Sequence, residues 1–525
     1  MVKYPIGQQD FKGIREGGYA YVDKTDYIRL LLNNKYYFLS RPRRFGKSLF
    51  LSTLHYFFSG ERELFHGLAI DSWSEWQWKK HPVIRISFIS GAFYEENGLK
   101  ERLDSIIRET EELYGVSTEG GSPGEKFRSL ILALYREYGE KVVVLVDEYD
   151  KPLLDVMDRE EILTANRNLL SSFYSVIKDS DEFLLMAFLT GVTRFGHLNI
   201  FSGLNNLKDI SLSGEYSAIC GITEEEVIEN FQDGVENLAG KMHVSTDEAT
   251  GLLREYYDGY HFSDELIDVY NPYSLITALS EGKVKDIWPY TGNSNYLLQQ
   301  LKKEEFDLFD LEGTEANSRV LMGTNPEYTD PVTLLYQSGY LTIKGLGRKA
   351  DRYILGLPNH EVSSALYEAI IPFYTGHNRP LPEKDYTRIE TWMQNGDIEE
   401  FLLWLKEFFA KVTYDVKLLP LTDRMRQESD FQFVVYCILA LSCGLTNVKL
   451  EETTSNGRID ISVETKNFVY IFEFKIGQDA TEALNQIRRK DYASRWASDR
   501  RRIIPVGVAF SPETRGISNY AIGSI

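Results

Sequence analysis

Two short stretches of this sequence hold residue types suited to phosphate chemistry. The first is Ser40-Arg41-Pro42-Arg43-Arg44-Phe45-Gly46-Lys47-Ser48. A phosphate-binding loop needs backbone amides aimed at the phosphates, a lysine to meet the β and γ charge, and a hydroxyl for magnesium. Gly46, Lys47 and Ser48 supply the second half of that pattern, and Arg43 and Arg44 add positive charge beside it. The opening glycine of G-x-x-x-x-G-K-[ST] is replaced by Arg41. Pro42 presets its own φ and biases Arg41 toward an extended backbone, which offers a turn made by proline instead. About a hundred residues on, the apolar run Val142–Val146 ends in Asp147-Glu148. In phosphoryl-transfer sites the first such carboxylate meets magnesium and a following glutamate polarises the attacking water. A plain acidic surface turn is the alternative. The run Phe183–Leu189 leads into Thr193 and Arg194, which are either sensors of a γ-phosphate at a strand tip or ordinary turn residues.

The second stretch is Gly457-Arg458-Ile459-Asp460-Ile461, followed by Phe468-Val469-Tyr470-Ile471-Phe472-Glu473-Phe474-Lys475. The two-residue period of a strand puts Glu473 and Lys475 on one face and Phe472 and Phe474 on the other. With Asp460 facing the same way, Asp460 and Glu473 can share a divalent ion while Lys475 positions or activates a water for attack on a phosphodiester. The next helix presents Gln486, with Lys490 and Tyr492 nearby. A solvated cross-strand charge pair is the simpler reading of Glu-x-Lys. Glu428 on the first helix and Glu452 on the first strand are either further ligands or, the simpler reading of each, surface carboxylates. His197 and His261 are lone histidines that either contact nucleotide or, the simpler reading, are structural.

These residues need elements to hold them. Strand-length apolar runs at Tyr36–Ser40, Val83–Ser90, Val142–Val146 and Phe183–Leu189 alternate with helical patterns, which predicts an α/β domain with a parallel sheet over residues 1–220. A capping-box spacing opens at Thr223, and the chain turns helical over 221–415. Within that region Val332–Gly339 reads as a helix, and Tyr340–Ile343 with Tyr353–Leu357 as a strand pair, a winged-helix-like order. Residues 416–525 read as helix Glu428–Cys443, strands Val448–Glu452, Ile459–Val463 and Phe468–Lys475, helix Asp479–Trp496 and strand Ile503–Phe510, one small α/β domain.

Taken together, FLSRPRRFGKSLFLSTL, VVVLVDEYDKPL, YYDGYHF, VYNPYSL, LLYQSGYLTI and the Ile-Asp…Glu-Phe-Lys…Gln-Ile series resemble the bacterial family of predicted AAA-ATPase-like proteins fused to a PD-(D/E)XK nuclease-like domain. The resemblance covers nearly the whole chain. It implies a P-loop NTPase-like first domain and a restriction-endonuclease-like last domain. It also implies that Lys47, Ser48, Asp147 and Glu148 are the ATP and Mg²⁺ residues, with arginine usual at position 41. Ile459 stands where the family's proline precedes the aspartate.

Composition narrows the functional classes. With 43% hydrophobic and 13% aromatic residues the 525-residue chain has material for several cores. No apolar run approaches the roughly 20 residues of a membrane span. The N-terminus lacks the apolar core of a signal peptide, and three cysteines are too few for a disulfide framework, so a cytoplasmic protein is expected. The 58 Lys and Arg against 78 Asp and Glu give a net charge of −20, which excludes a basic coat on nucleic acid. The charge is uneven: residues 416–525 hold 15 cationic against 13 acidic side chains. A local phosphate-binding surface near Glu473 is thus compatible with the whole. The expected ligands are nucleotide and, through the last domain, DNA; no feature excludes an oligomer. The leading expectation is an ATP-binding module coupled to a Mg²⁺-dependent nuclease. The rival is a nucleotide-switched binding or signalling protein whose nuclease-like domain docks nucleic acid or protein without cutting.

Overall fold

The computed structural model describes residues 3–194, 200, 206–287, 311–323, 330–349, 351–375, 380–411, 428–454, 456–511, 513–514 and 516–524. His197 and the 415/416 boundary lie outside them. The described residues up to Asn359 and those from His360 on form two compact units.

In the first unit five parallel strands, β1 (Tyr36–Ser40), β2 (Val83–Ser87), β3 (Val142–Asp147), β4 (Leu184–Gly191) and β5 (Lys208–Asp209), pair in the order β2-β3-β4-β1-β5. β1 and β3 are buried along their whole length, as expected for apolar runs covered on both faces. Helices Gly98–Tyr114, Pro123–Tyr138 and Glu160–Asp179 close one side, where Phe127 and Phe173 stack 4.4 Å apart. β2 ends at Ser87, three residues short of the sequence expectation. All five strands run the same way, so the loops after β1, β3 and β4 meet at one edge.

Three helices follow, Glu224–Met242, Thr246–Tyr257 and Pro272–Glu281, around their own apolar core. The expected capping box forms: the Thr223 hydroxyl accepts from Glu226 N–H and the Glu226 carboxylate from Thr223 N–H. Beyond them, helices Ser318–Met322 and Pro331–Ser338 precede the hairpin β7 (Thr342–Leu346) and β8 (Arg352–Gly356), and β6 (Glu315–Asn317) completes a three-stranded sheet. This is the winged-helix-like order, with a short third strand that the sequence reading did not contain.

The second unit is a mixed sheet, β13-β12-β11-β10-β9, built from β9 (Val448–Thr454), β10 (Gly457–Glu464), β11 (Phe468–Ile476), β12 (Arg502–Ser511) and β13 (Gly516–Ile522). Only β11 and β12 are parallel. Helix Glu428–Cys443 packs on β9, β10 and β11, and helix Ala480–Arg489 on β11, β12 and β13. Helices Glu383–Asn395 and Ile398–Ala410 also join this unit: Tyr470 Oη donates to Met393 O at 2.7 Å, and Phe401 lies against Phe472. The helix expected over Asp479–Trp496 stops at Arg489, because Asp491 takes a left-handed φ of 47° and a 3₁₀ turn, Tyr492–Trp496, follows. No helix among the described residues is long and apolar enough to cross a membrane.

Candidate functional site

The loop after β1 bends through left-handed residues at Arg44 (φ 69°) and Gly46 (φ 93°), so the turn expected of Pro42 is made two and four residues later. A Cβ on Gly46 would meet nothing within 4 Å; it is the backbone angle that calls for glycine there. Arg41 sends its side chain away from the loop into the protein, where it is 1% exposed. Its guanidinium donates to Ser40 O (2.9 Å), Ser211 O (2.8 Å) and Tyr216 O (3.0 Å) and lies over the Phe262 ring at 4.1 Å. Phe45 is clasped edge-on by Tyr260 (4.8 Å) and Phe262 (5.3 Å), and its carbonyl accepts from Gly221 N–H. The YYDGYHF segment thus shapes the loop from behind. His261 within it is structural: Nδ1 sits 2.7 Å from Ile343 O and Nε2 2.8 Å from Asp268.

In front of the loop lies a cleft of about 370 Å³. Arg43, Arg44, Gly46, Lys47 and Ser48 line one wall, and Glu148, Asp150 and Lys151 another. Residues 5–9 together with Pro272, Tyr273 and Ile276 also line it, and the Arg44 guanidinium rests on the Tyr273 ring at 4.5 Å. Lys47 is buried, with Nζ donating to Arg41 O and Pro42 O at 2.8 Å each; burial lowers its pKa, against the pull of Asp147. Asp147, at the end of β3, accepts from Thr190 Oγ1 on β4 at 2.8 Å. Glu148 has a left-handed φ of 53°, and burial, then the charge of Asp147, raises its pKa.

Thr193 and Arg194 are not brought into the cleft. Thr193 gives both its N–H (2.6 Å) and its hydroxyl (2.8 Å) to Asp150 Oδ2, which also takes Val192 N–H. Arg194 is turned to Asp209 (2.8 Å), its N–H bonds Gln337 Oε1, and it shares a small pocket with Arg41, Ser211 and Tyr336. Asp150, Lys151, Tyr273 and the 5–9 segment were not identified from the sequence. Asp150 and Lys151 follow directly on the acidic pair, and Tyr273 lies in VYNPYSL, so their neighbourhood was visible but not the direction of their side chains.

In the second unit the strand geometry gathers the expected group. Lys475 Nζ is 3.2 Å from Glu473 Oε1, and Gln486 Nε2 donates to the same oxygen. Asp460 Oδ2 accepts Phe474 N–H at 2.8 Å, while Gln432 Nε2 holds Asp460 O. Burial raises the pKa of both carboxyls, and for Glu473 the charge of Asp460 raises it further. Glu428, expected at the surface, reaches in from its helix: Oε1 lies 3.4 Å from Lys475 Nζ and Oε2 accepts Ile476 N–H. Its signal was the first helix turn of this domain. Glu452 faces away, bonded to Ser462 and paired with Arg495 at 2.7 Å.

Glu473 Oε2 is buried with no partner, and Glu473 is 1% exposed. An orphaned carboxylate oxygen beside a second carboxyl is what an oxygen-ligated cation would satisfy. No group of three His, Cys, Asp or Glu side chains is gathered for a metal among the described residues. Two carboxylates nonetheless match what Mg²⁺ takes from a protein, since it keeps much of its water.

The comparisons agree with this arrangement. Residues 5–201 match the model described as Predicted AAA-ATPase, and residues 426–520 that of the PD-(D/E)XK nuclease superfamily. A relative described as "Uncharacterized protein in vnfD 5'region", from Azotobacter chroococcum mcd 1, is 37% identical over 540 residues, covering 100% of this chain and 99% of its own. With the loop, the acid-tipped β3 and the Asp-Glu-Lys strand pair all in place, the chain belongs to the family that joins a predicted AAA-ATPase domain to a C-terminal PD-(D/E)XK nuclease-like domain.

Proposed function

We propose that the first unit binds ATP with Mg²⁺ and that the second is a Mg²⁺-dependent nuclease acting on DNA phosphodiesters, its access to DNA governed by the nucleotide state. The observation that carries the nuclease reading is the orphaned Glu473 Oε2, set among Asp460, Lys475 and Gln486. Asp460 and Glu473 would hold a divalent ion, which would supply charge stabilisation at the scissile phosphate. Lys475 orients the attacking water and meets developing negative charge, while Gln486 fixes the rotamer of Glu473. In the nucleotide cleft Lys47 and Arg43 neutralise phosphate charge and Glu148 accepts a proton from water, while Ser48 and, at the end of β3, Asp147 would hold the ion. Three free cysteines, two of them buried, suit a reducing compartment such as the cytoplasm.

One observation favours a second reading, a nucleotide-switched docking module that does not cut: Lys475 Nζ is engaged by Glu428, Glu473 and Phe474 O at once. Nicking of supercoiled plasmid with and without ATP and Mg²⁺ separates the two. The nuclease reading expects cleavage that needs Mg²⁺ and drops at least about 100-fold in Asp460→Ala and Lys475→Ala. Equal inertness of wild type and variants, with ATP-dependent binding of DNA retained, would establish the docking module instead.

A further inference from the structure

We propose that Lys151 is the residue that distinguishes a nucleoside triphosphate from a diphosphate, and that Asp155 holds it in reserve when no γ-phosphate is present. This inference rests on the nucleotide reading of the cleft and adds to it a residue that the motif does not contain.

The strand-tip residues in the position of a γ-phosphate sensor are already committed elsewhere. Thr193 spends its N–H and hydroxyl on Asp150, and Arg194 is buried against Asp209. Of the cations that do line the cleft, Arg43, Arg44 and Lys47 lie in the phosphate loop, and Arg44 is stacked on Tyr273. The backbone amides of a loop that wraps the phosphates serve a diphosphate and a triphosphate alike, and Lys47 meets the β and γ charge together. A contact made to the γ-phosphate alone would come from the wall of Glu148, Asp150 and Lys151, where Glu148 is the base proposed for the water that attacks that phosphate.

Lys151 is the cation on that wall. Its backbone is fixed relative to Glu148 by a tight turn, Lys151 N–H to Glu148 O at 3.1 Å. Of the two residues between, Asp150 is held by three donors from residues 192 and 193, so this turn has little freedom. The side chain is 29% exposed, and among the described residues its ammonium is held by Asp155 alone, at 2.9 and 2.7 Å. A partly exposed i,i+4 pair is weak. A γ-phosphate carries more charge than a carboxylate and would lie in a less solvated cleft, where the same ammonium gains more. Lys151 thus exchanges Asp155 for the terminal phosphate when a triphosphate arrives and returns when it leaves.

The test measures ATP and ADP affinities of the full chain by displacement of a fluorescent nucleotide. Wild type is expected to prefer ATP. Lys151→Ala should weaken ATP about tenfold, the worth of one charged hydrogen bond, and leave ADP unchanged. Lys151→Arg should restore the preference in part, and Asp155→Asn, which frees the ammonium, should tighten ATP without altering ADP. An unchanged ATP-to-ADP ratio in both Lys151→Ala and Asp155→Asn, or an equal loss of both nucleotides in Lys151→Ala, overturns the proposal while the nucleotide reading stands. Absence of binding in wild type, matched by Lys47→Ala, would instead remove the nucleotide reading and this proposal with it.

Discussion

Arg41 shows how far a motif departure can mislead when it is read as a line of letters. Replacing the first glycine of a phosphate loop suggests a weakened loop, yet the guanidinium is a buried strut that caps three carbonyls and supports Phe262. Restoring the motif should accordingly do harm. Arg41→Gly is expected to destabilise the first unit by at least about 3 kcal/mol, since it leaves buried acceptors unpaired and opens a cavity. Thermal denaturation checks this, and a variant as stable as wild type would contradict the strut. Lys47, Ser48 and Asp147 could be located from the sequence because each is fixed by one contiguous run, a strand with its loop. Thr193 and Arg194 could not be aimed, because their direction is set by Asp150 and Asp209, partners on other segments.

Among the elements, helix Thr246–Tyr257 ends on a feature that titrates. Asp258 is its C-cap, 4% exposed, with Oδ1 unpartnered, at the helix end whose dipole disfavours negative charge. Burial pushes its pKa up to about 7; the charges of Asp268 and Glu224 add to this, while Arg254 and a backbone N–H oppose it. The folded state thus binds this proton more tightly than the unfolded chain does. Stability is present at acid pH and is lost as pH rises from the ordinary carboxylate range to about 7. Asp258→Asn should raise stability by about 1–2 kcal/mol at pH 8 and by almost nothing at pH 4, read from melting temperatures at both. Most strands were legible to within a few residues, since apolar runs bounded by polar turns leave little choice. β13 was not, because GISNYAI mixes polar and apolar positions, and its place depends on pairing with β12.

At the scale of the chain, the division falls at residues 359 and 360, and each unit has its own core. The sequence showed three patterns of elements but not which ones share a core, because the helices of 383–410 are as amphipathic as those before them and only their contacts assign them to the second unit. Calorimetry should resolve two transitions. ATP at 100 times its Kd should raise the transition of the first unit through about 2.7 kcal/mol of linkage, and Mg²⁺ without nucleotide should raise the second. One cooperative transition that responds to both ligands would refute independent melting.

On the proposed nucleotide reading, the clasp on Phe45 bears on the kinetics of capture. A glycine-rich cradle that orders only on contact spends part of its ligand's affinity on freezing its own backbone. Here Arg41, Tyr260 and Phe262 hold the loop in shape beforehand, and none of the three lines the cleft. Capture then resembles a key meeting a finished lock, and differences in residence time among nucleotides report the cleft's contacts rather than the folding of its rim.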